Sequence, residues 1–159
     1  MKTYVLEREQ LIRQPIDRVF DFFGDAGNLE AITPPWLHFH IVTPRPIEMT
    51  VGTLIDYTLR LHGIPIRWTT RIATWNPPND FIDVQIRGPY RLWEHTHRFF
   101  AEGDSTRMFD TVRYALPFGL LGAIAHIAMV RSDLKKIFDY RAVKVAELTN
   151  LWLRDGHST

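Results

Sequence analysis

Two histidines one residue apart, His95 and His97 in the segment Trp93-Glu94-His95-Thr96-His97, have the spacing of paired metal ligands or of an acid/base couple. In an extended strand side chains alternate between faces, so both imidazoles point the same way. Their chemistry depends on what shares that face. With Gly103 and Asp104 as the tip of the following hairpin, Ala101 lies opposite Thr106, Trp93 opposite Tyr114, His95 opposite Val112, His97 opposite Asp110 and Phe99 opposite Met108. The other face pairs Glu94 with Arg113 and Thr96 with Thr111, which reads as a solvated surface with a favourable cross-strand ion pair. The histidine face is aromatic and apolar apart from His95, His97 and Asp110. It is therefore expected inside.

Three kinds of chemistry suit that face. A histidine oriented by a carboxylate moves protons near neutral pH, which makes His97 with Asp110 a candidate catalytic pair. The plainer alternative is a structural contact, since buried imidazoles and carboxylates need partners whatever they do. A metal would need three or four converging ligands. His95, His97 and Asp110 come near that count, and Gly88 to Glu102 echoes a cupin His-x-His motif, but the first spacer is one residue too long, the closing glycine is absent and no second motif follows. No metal and no cofactor are expected. His38 and His40 repeat the spacing, but Phe39 and Ile41 are the better candidates for the buried face there. The chain has no cysteine, so a thiol nucleophile, a disulfide framework and a sulfur-built zinc site are excluded. It also lacks a nucleophile elbow, a phosphate-cradling glycine loop and a dinucleotide fingerprint.

The elements that would position these residues follow from periodicity and turn signals. Tyr4 to Arg13 suits a half-solvated strand, and Pro15 then opens a short helix with Val19, Phe20, Phe22 and Phe23 as its apolar stripe and Gly24 at its end. Ala26 to Ile32 adds a further turn or two before Thr33-Pro34-Pro35. From about Leu37 to Leu116 alternating runs are separated by turn signals at His62-Gly63, Asn76 to Asn79, Gly88-Pro89 and Glu102 to Ser105, the pattern of an antiparallel meander. The His62-Gly63 turn sets Leu61 opposite Ile64, Tyr57 opposite Trp68 and Ile55 opposite Thr70, so Tyr57 and Trp68 join the inner wall. For Phe81 to Arg87 the aliphatic set Ile82, Val84 and Ile86 is expected inside. After Pro117 and Gly119 the spacing becomes helical through Val130, Leu134, Phe138, Arg141 and Val145, giving a long amphipathic C-terminal helix. On it Arg131 and Arg141 could reach an acidic head group, though a solvated role is the commoner one. Trp36 reads as a lip or a packing anchor, and His126 as a helix-end or core contact.

Composition narrows the class. At 159 residues, with 45% hydrophobic and 23% charged, the chain suits one globular domain over residues 1–159. A net charge of +1 with no basic run argues against nucleic acid. The charged N-terminal decapeptide lacks the pattern of a secretory signal. The apolar run Ala115 to Val130 is short for a membrane span and contains Pro117, two glycines and His126. A cytoplasmic protein without a membrane partner is expected, and nothing in the sequence sets an oligomeric state.

A strand, two short helices, a run of hairpins and a long closing helix form an α+β order in which a curved sheet buries its apolar face against that helix. This order resembles the START-related helix-grip superfamily (SRPBCC), which includes lipid-transfer domains, polyketide aromatase/cyclases and pollen-allergen-like carriers. The segments QPIDRVFDFF, AITPPWLHFHI, GTLIDYTLRLHGIPIRW, NPPNDFIDVQIRGPYRLWEHTHRF and YALPFGLLG are similar to a bacterial polyketide cyclase/dehydrase-like ligand-binding subgroup. The resemblance implies a helix-grip fold and a cavity between sheet and helix that takes a small, largely apolar or aromatic molecule. Tyr57, Trp68, Trp93, His95, His97, Phe99, Asp110, Val112 and Tyr114 are the candidate wall. A cyclase or dehydratase using His97 and Asp110 is the alternative, and a protein-interaction module working through the outer sheet face is a second one.

Overall fold

The computed structural model describes residues 1–155. Strand β1 (Tyr4–Ile12) alternates strictly, with Leu6, Arg8, Gln10 and Ile12 on the inner face. Helix α1 (Ile16–Gly24) starts directly after Pro15, whose missing N–H would have had no helical partner, and buries Val19, Phe20 and Phe22. A single turn, α2 (Asn28–Ala31), and a 3-10 turn at Pro35–Leu37 lead through His38, in the left-handed region, to the two-residue strand β2 (His40–Ile41). Five longer strands follow: β3 (Leu54–Leu61), β4 (Ile64–Asn76), β5 (Asp80–Arg87), β6 (Leu92–Glu102) and β7 (Ser105–Ala115). The chain closes with α3 (Gly119–Ala125), a π-helical turn at His126–Val130 and the long α4 (Arg131–Asp155).

The strands form one antiparallel sheet in the order β1-β7-β6-β5-β4-β3-β2, so the meander from β2 to β7 is completed by β1 on its far edge. The fold is α+β and helix-grip: the sheet curves around α4. Leu134, Phe138, Val145 and Thr149 recur at helical spacing on α4 and are buried beneath it. Polar braces fix α4 to the β1 edge. Arg8 pairs with Asp139 at 2.8 Å, Gln10 donates to the Ala142 carbonyl at 2.8 Å and Gln14 to the Thr149 carbonyl at 3.2 Å.

Two hairpins have the register that their turns imply. β6 and β7 set Trp93 against Tyr114, His95 against Val112 and His97 against Asp110, while β3 and β4 set Tyr57 against Trp68 and Leu61 against Ile64. The expectation for β5 is overturned. Phe81 and Asp83 lie opposite His97 and His95 of β6 and so share their inner face, whereas Ile82, Val84 and Ile86 face outward, with Ile86 half exposed. Two effects favour this register. Phe81, the largest apolar side chain of the strand, is buried by it, and Asp83 meets imidazole partners there. Gln85 bends back over the Gly88-Pro89-Tyr90 turn, donating to the Tyr90 carbonyl at 2.7 Å and accepting from the Tyr90 N–H at 3.2 Å. A Cβ at position 88 would meet that side chain, which would have to give up its place over the turn.

The outer face is consequently less polar than alternation alone suggests. Leu54 and Ile86 are exposed beside the charged and threonine positions. Inside, Phe99 lies edge-on to Phe20 at 5.4 Å and beside Phe23 at 5.7 Å, which ties α1 to β6. Its neighbour Phe100 points outward and is half exposed. In urea titrations Phe99→Ala is expected to lower the unfolding free energy by about 3–5 kcal/mol, and Phe100→Ala by less than about 1 kcal/mol. Equal losses would mean that β6 faces are not divided in this way.

Candidate functional site

Where α4, α1, the 26–39 segment and the concave sheet meet, they leave a cavity of about 200 Å³. Most of its wall is apolar, with Phe23, Leu37, Phe39, Met49, Ile55 and Phe138 among the contributors. Trp68 and Trp93 meet edge to face at 5.3 Å on the sheet side, and Tyr57 stacks on Trp68 at 5.8 Å. The alternation of β3, β4 and β6 carries all three rings inward. One stretch of wall is polar: Tyr57, Thr70, Asp83, His95, His97 and Arg141.

The polar stretch runs across neighbouring strands. Trp68 Nε1 donates to Thr70 Oγ1 at 3.1 Å, and the Tyr57 hydroxyl is bonded to the same oxygen at 3.1 Å. Beyond Thr70 comes a set of four ionisable groups from three strands: Asp83 on β5, His95 and His97 on β6, Asp110 on β7. Direct opposition places Asp83 against His95 and Asp110 against His97, yet the shortest contacts are the diagonal ones. His97 Nε2 donates to Asp83 Oδ2 at 2.7 Å, and His95 Nε2 donates to Asp110 Oδ1 at 2.7 Å. The direct contacts are longer. His95 Nδ1 is 3.9 Å from Asp83 Oδ2, and His97 Nδ1 is 3.1 Å from Asp110 Oδ1, close enough for charge attraction but not aligned as a hydrogen bond. The two rings lie 3.7 Å apart, with Phe81 stacked on His97 at 4.0 Å.

Both imidazoles are almost wholly buried, at 4% and 3% exposure, so their protonation is set by neighbours rather than by water. Burial would push His97 down, but Asp110 and Asp83 outweigh it and the imidazole is held above its ordinary value. His95 goes the other way: burial, with repulsion from His97, lowers it despite the bond to Asp110. Burial opposes the charge of both carboxylates. The hydrogen bond from His97 and the charges of His95, His97 and Arg141 nevertheless keep Asp83 low, and the hydrogen bond from His95 with the nearby His97 holds Asp110 well below the usual range. Asp83 and Asp110 thus face the two imidazoles and the Arg141 guanidinium. Burial, with a smaller contribution from Asp83, pushes the Tyr57 phenol far up, so it stays a neutral hydrogen-bonding group.

Of the candidate wall, Tyr57, Trp68, Trp93, His95 and His97 line the cavity. The other four do not. Phe99 is committed to the α1 contact, Val112 is wholly enclosed with Leu134 and Phe138, and Tyr114 turns to His126, its hydroxyl bonded to Nε2 at 2.7 Å. Asp110 sits behind the histidines, facing a separate recess with Arg8, Gln10 and Arg141. The carboxylate that reaches the cavity is Asp83, which an aliphatic-inside reading of β5 sends to solvent. Its signal was available in the two inward imidazoles and the single carboxylate then left to satisfy both. Arg141 lines the cavity with its guanidinium 5.5 Å over the Phe23 ring, whereas Arg131 does not. Trp36 packs edge-on against Tyr140 of α4 at 5.7 Å and is not part of the wall. His126 stacks on Tyr4 at 3.5 Å, and His40, exposed, lies 3.8 Å from Glu30.

No family model and no curated protein matches the chain. Solved structures do match over nearly their whole length. The aromatase/cyclase ZhuI from Streptomyces sp. R1128 superposes with a TM-score of 0.78 at 15% identity, covering 99% of this chain and 100% of its own. TTHA0849 from Thermus thermophilus gives 0.69 at 20% identity over 93% and 98%. Ara h 8.0201 gives 0.64 at 14% identity, again over 93% and 98%. Likeness at this level of identity establishes the helix-grip architecture. No described helix is long and apolar enough to cross a membrane.

The opposed shifts have opposite signs in stability. His97, raised in the fold, contributes stability that is complete below its unfolded value of about 6.5 and is lost as pH rises through the folded value. Asp83, Asp110 and His95, all lowered, contribute above their unfolded values of about 3.9 and 6.5 and lose that contribution as pH falls through the folded ones. In urea titrations with a chelator present, the stability advantage of the protein over His97→Asn is therefore expected to shrink as pH rises above about 6.5. An advantage that is constant or grows over that range would show that the two carboxylates do not raise His97.

Proposed function

We propose that the protein binds a small, largely apolar or aromatic molecule in the internal cavity, with Asp83, His95 and His97 orienting its polar end. One observation carries this reading. A sheet and helix that pack tightly elsewhere leave about 200 Å³ open at the place where buried ionisable groups converge. A cavity of about 150 Å³ lined by apolar side chains is enough for benzene, so one or two rings is the scale of guest that fits. Aromatic walls with a few fixed polar groups are the usual makeup of such sites. The fold shared with an aromatase/cyclase agrees with an enclosed ring-bearing guest, while fold alone does not choose among ligands.

A second reading, a cyclase or dehydratase type of lyase, is favoured by the orientation of one pair. His97 and the Asp83 carboxylate that accepts its Nε2–H both lie on the cavity wall, within reach of a guest, whereas Asp110 is behind them and can only position. The catalytic pair in that reading is His97 with Asp83 rather than with Asp110.

Binding is tested with 1-naphthol as probe in isothermal calorimetry, alongside native mass spectrometry of freshly purified protein. Ile55 is buried on the cavity wall, so Ile55→Phe takes up the guest's space. It is expected to weaken naphthol binding by at least about tenfold while costing about 1–3 kcal/mol of stability from overpacking. Binding that is the same in Ile55→Phe and the unaltered protein would place the guest elsewhere. Turnover of a ring-closing or dehydrating substrate that survives in Asp83→Asn would remove the lyase reading and leave the binding one.

A further inference from the structure

The four ionisable groups divide into a front and a back. Each imidazole directs one nitrogen toward Asp83, on the cavity side, and the other toward Asp110, behind. The front distances to Asp83 Oδ2 are 2.7 Å from His97 Nε2 and 3.9 Å from His95 Nδ1. The back distances to Asp110 Oδ1 are 3.1 Å from His97 Nδ1 and 2.7 Å from His95 Nε2. Since a carboxylate only accepts, His95 Nε2 carries the proton shared with Asp110, and Nδ1 is the nitrogen turned toward Asp83. Asp83 Oδ2 accepts the His97 Nε2–H, so a cation would enter between these atoms by displacing that proton.

From this arrangement we infer that Asp83, His95 and His97 form a binding site for a divalent transition-metal ion of the zinc class, open toward the cavity. One ligand atom from each of the three lies within 4.8 Å of the others. Ligands about 2.0–2.1 Å from a tetrahedral centre stand about 3.3 Å apart, and the front distances of 2.7 and 3.9 Å bracket that value. Two nitrogens and one carboxylate oxygen suit Zn²⁺ or Fe²⁺ and leave a position for water or for an oxygen donor on the guest. Asp110 supplies what such sites have behind the ligands, a carboxylate on the second nitrogen of the ligating histidine. Arg141, on the same cavity wall, suits a guest that is anionic where it meets the ion. The site deepens the binding reading above, since the metal would take the polar end of the same guest.

The test uses chelator-treated protein titrated with ZnCl₂ in isothermal calorimetry and, separately, with CoCl₂ in visible absorption. One Zn²⁺ per chain is expected, with intense Co²⁺ d–d bands of a four- or five-coordinate N/O site that Zn²⁺ displaces. Asp83→Asn and His97→Gln, checked for folding by circular dichroism, are expected to abolish the stoichiometric step, and Asp110→Asn to weaken it about 10–100-fold. His62→Ala, which removes an exposed histidine bonded to Asp133, should change nothing. Absence of any saturable step together with only weak, octahedral-type Co²⁺ absorption overturns the site without reference to a variant. So does binding that survives unchanged in both Asp83→Asn and His97→Gln. Naphthol is titrated into the same metal-free protein. If it binds while Zn²⁺ does not, the metal site falls and the cavity reading stands; if Zn²⁺ binds while naphthol does not, the reverse holds.

Discussion

Two imidazoles can be buried under α4 only if carboxylates stand within reach on both sides, and the register of β6 against its two neighbours provides this. β7 brings Asp110 to the back of the rings and β5 brings Asp83 to the front. A one-residue slip of either neighbour would send its carboxylate to the outer face and leave buried nitrogens without partners, a loss of several kcal/mol per unpaired charge. The central register is thus fixed by electrostatics as well as by apolar matching. Phe81, Phe99, Met108 and Val112 are inward because the same register that pairs the ions also buries them.

The cavity follows from how α4 is seated. Three of its braces to the sheet lie at the β1 edge, where Arg8, Gln10 and Gln14 reach Asp139, Ala142 and Thr149, and a fourth, His62 to Asp133, reaches only the β3–β4 turn. Toward β3 and β4 the sheet curves away, and the gap is filled from the other side by α1 and the 26–39 segment, whose side chains do not close it completely. Tight packing on one edge and an open centre are one arrangement rather than two. Trp68, Trp93 and Tyr57 line the open part because large rings span a curved wall with few conformational degrees of freedom.

Much of this was legible in the sequence. A two-residue turn sets register by itself, which is why the His62-Gly63 and Gly103-Asp104 hairpins could be laid out residue by residue and the inward histidines identified. The long closing helix and the order of elements were equally plain from period. β5 was not, because it joins β6 through the Gly88 to Arg91 segment, which leaves register open, and because Ile82, Val84 and Ile86 imitate a buried set. In β4 the ladder shifts between Ile72 and Thr74, so Trp75 faces Phe81 inward although strict alternation from Trp68 would turn it out. The wall residues Phe99, Val112 and Tyr114 shared a face with the histidines as expected, but face is a property of the strand and exposure to a cavity is not. Whether an inward side chain meets a helix or a void depends on where α1 and α4 lie, which periodicity does not encode.

The same distinction separates the two aspartates. Asp83 and Asp110 are chemically identical, both inward, and each accepts a 2.7 Å bond from an imidazole. Only the strand order makes them different: β5 stands on the cavity side of β6, and β7 stands on the side covered by the braced half of α4. A carboxylate on the covered side can hold a ring in place and bias its tautomer, and one on the open side can meet a guest. The functional asymmetry of the cluster is therefore a consequence of topology, and it would be reversed, with no change of residue type, by a helix seated over the other half of the sheet.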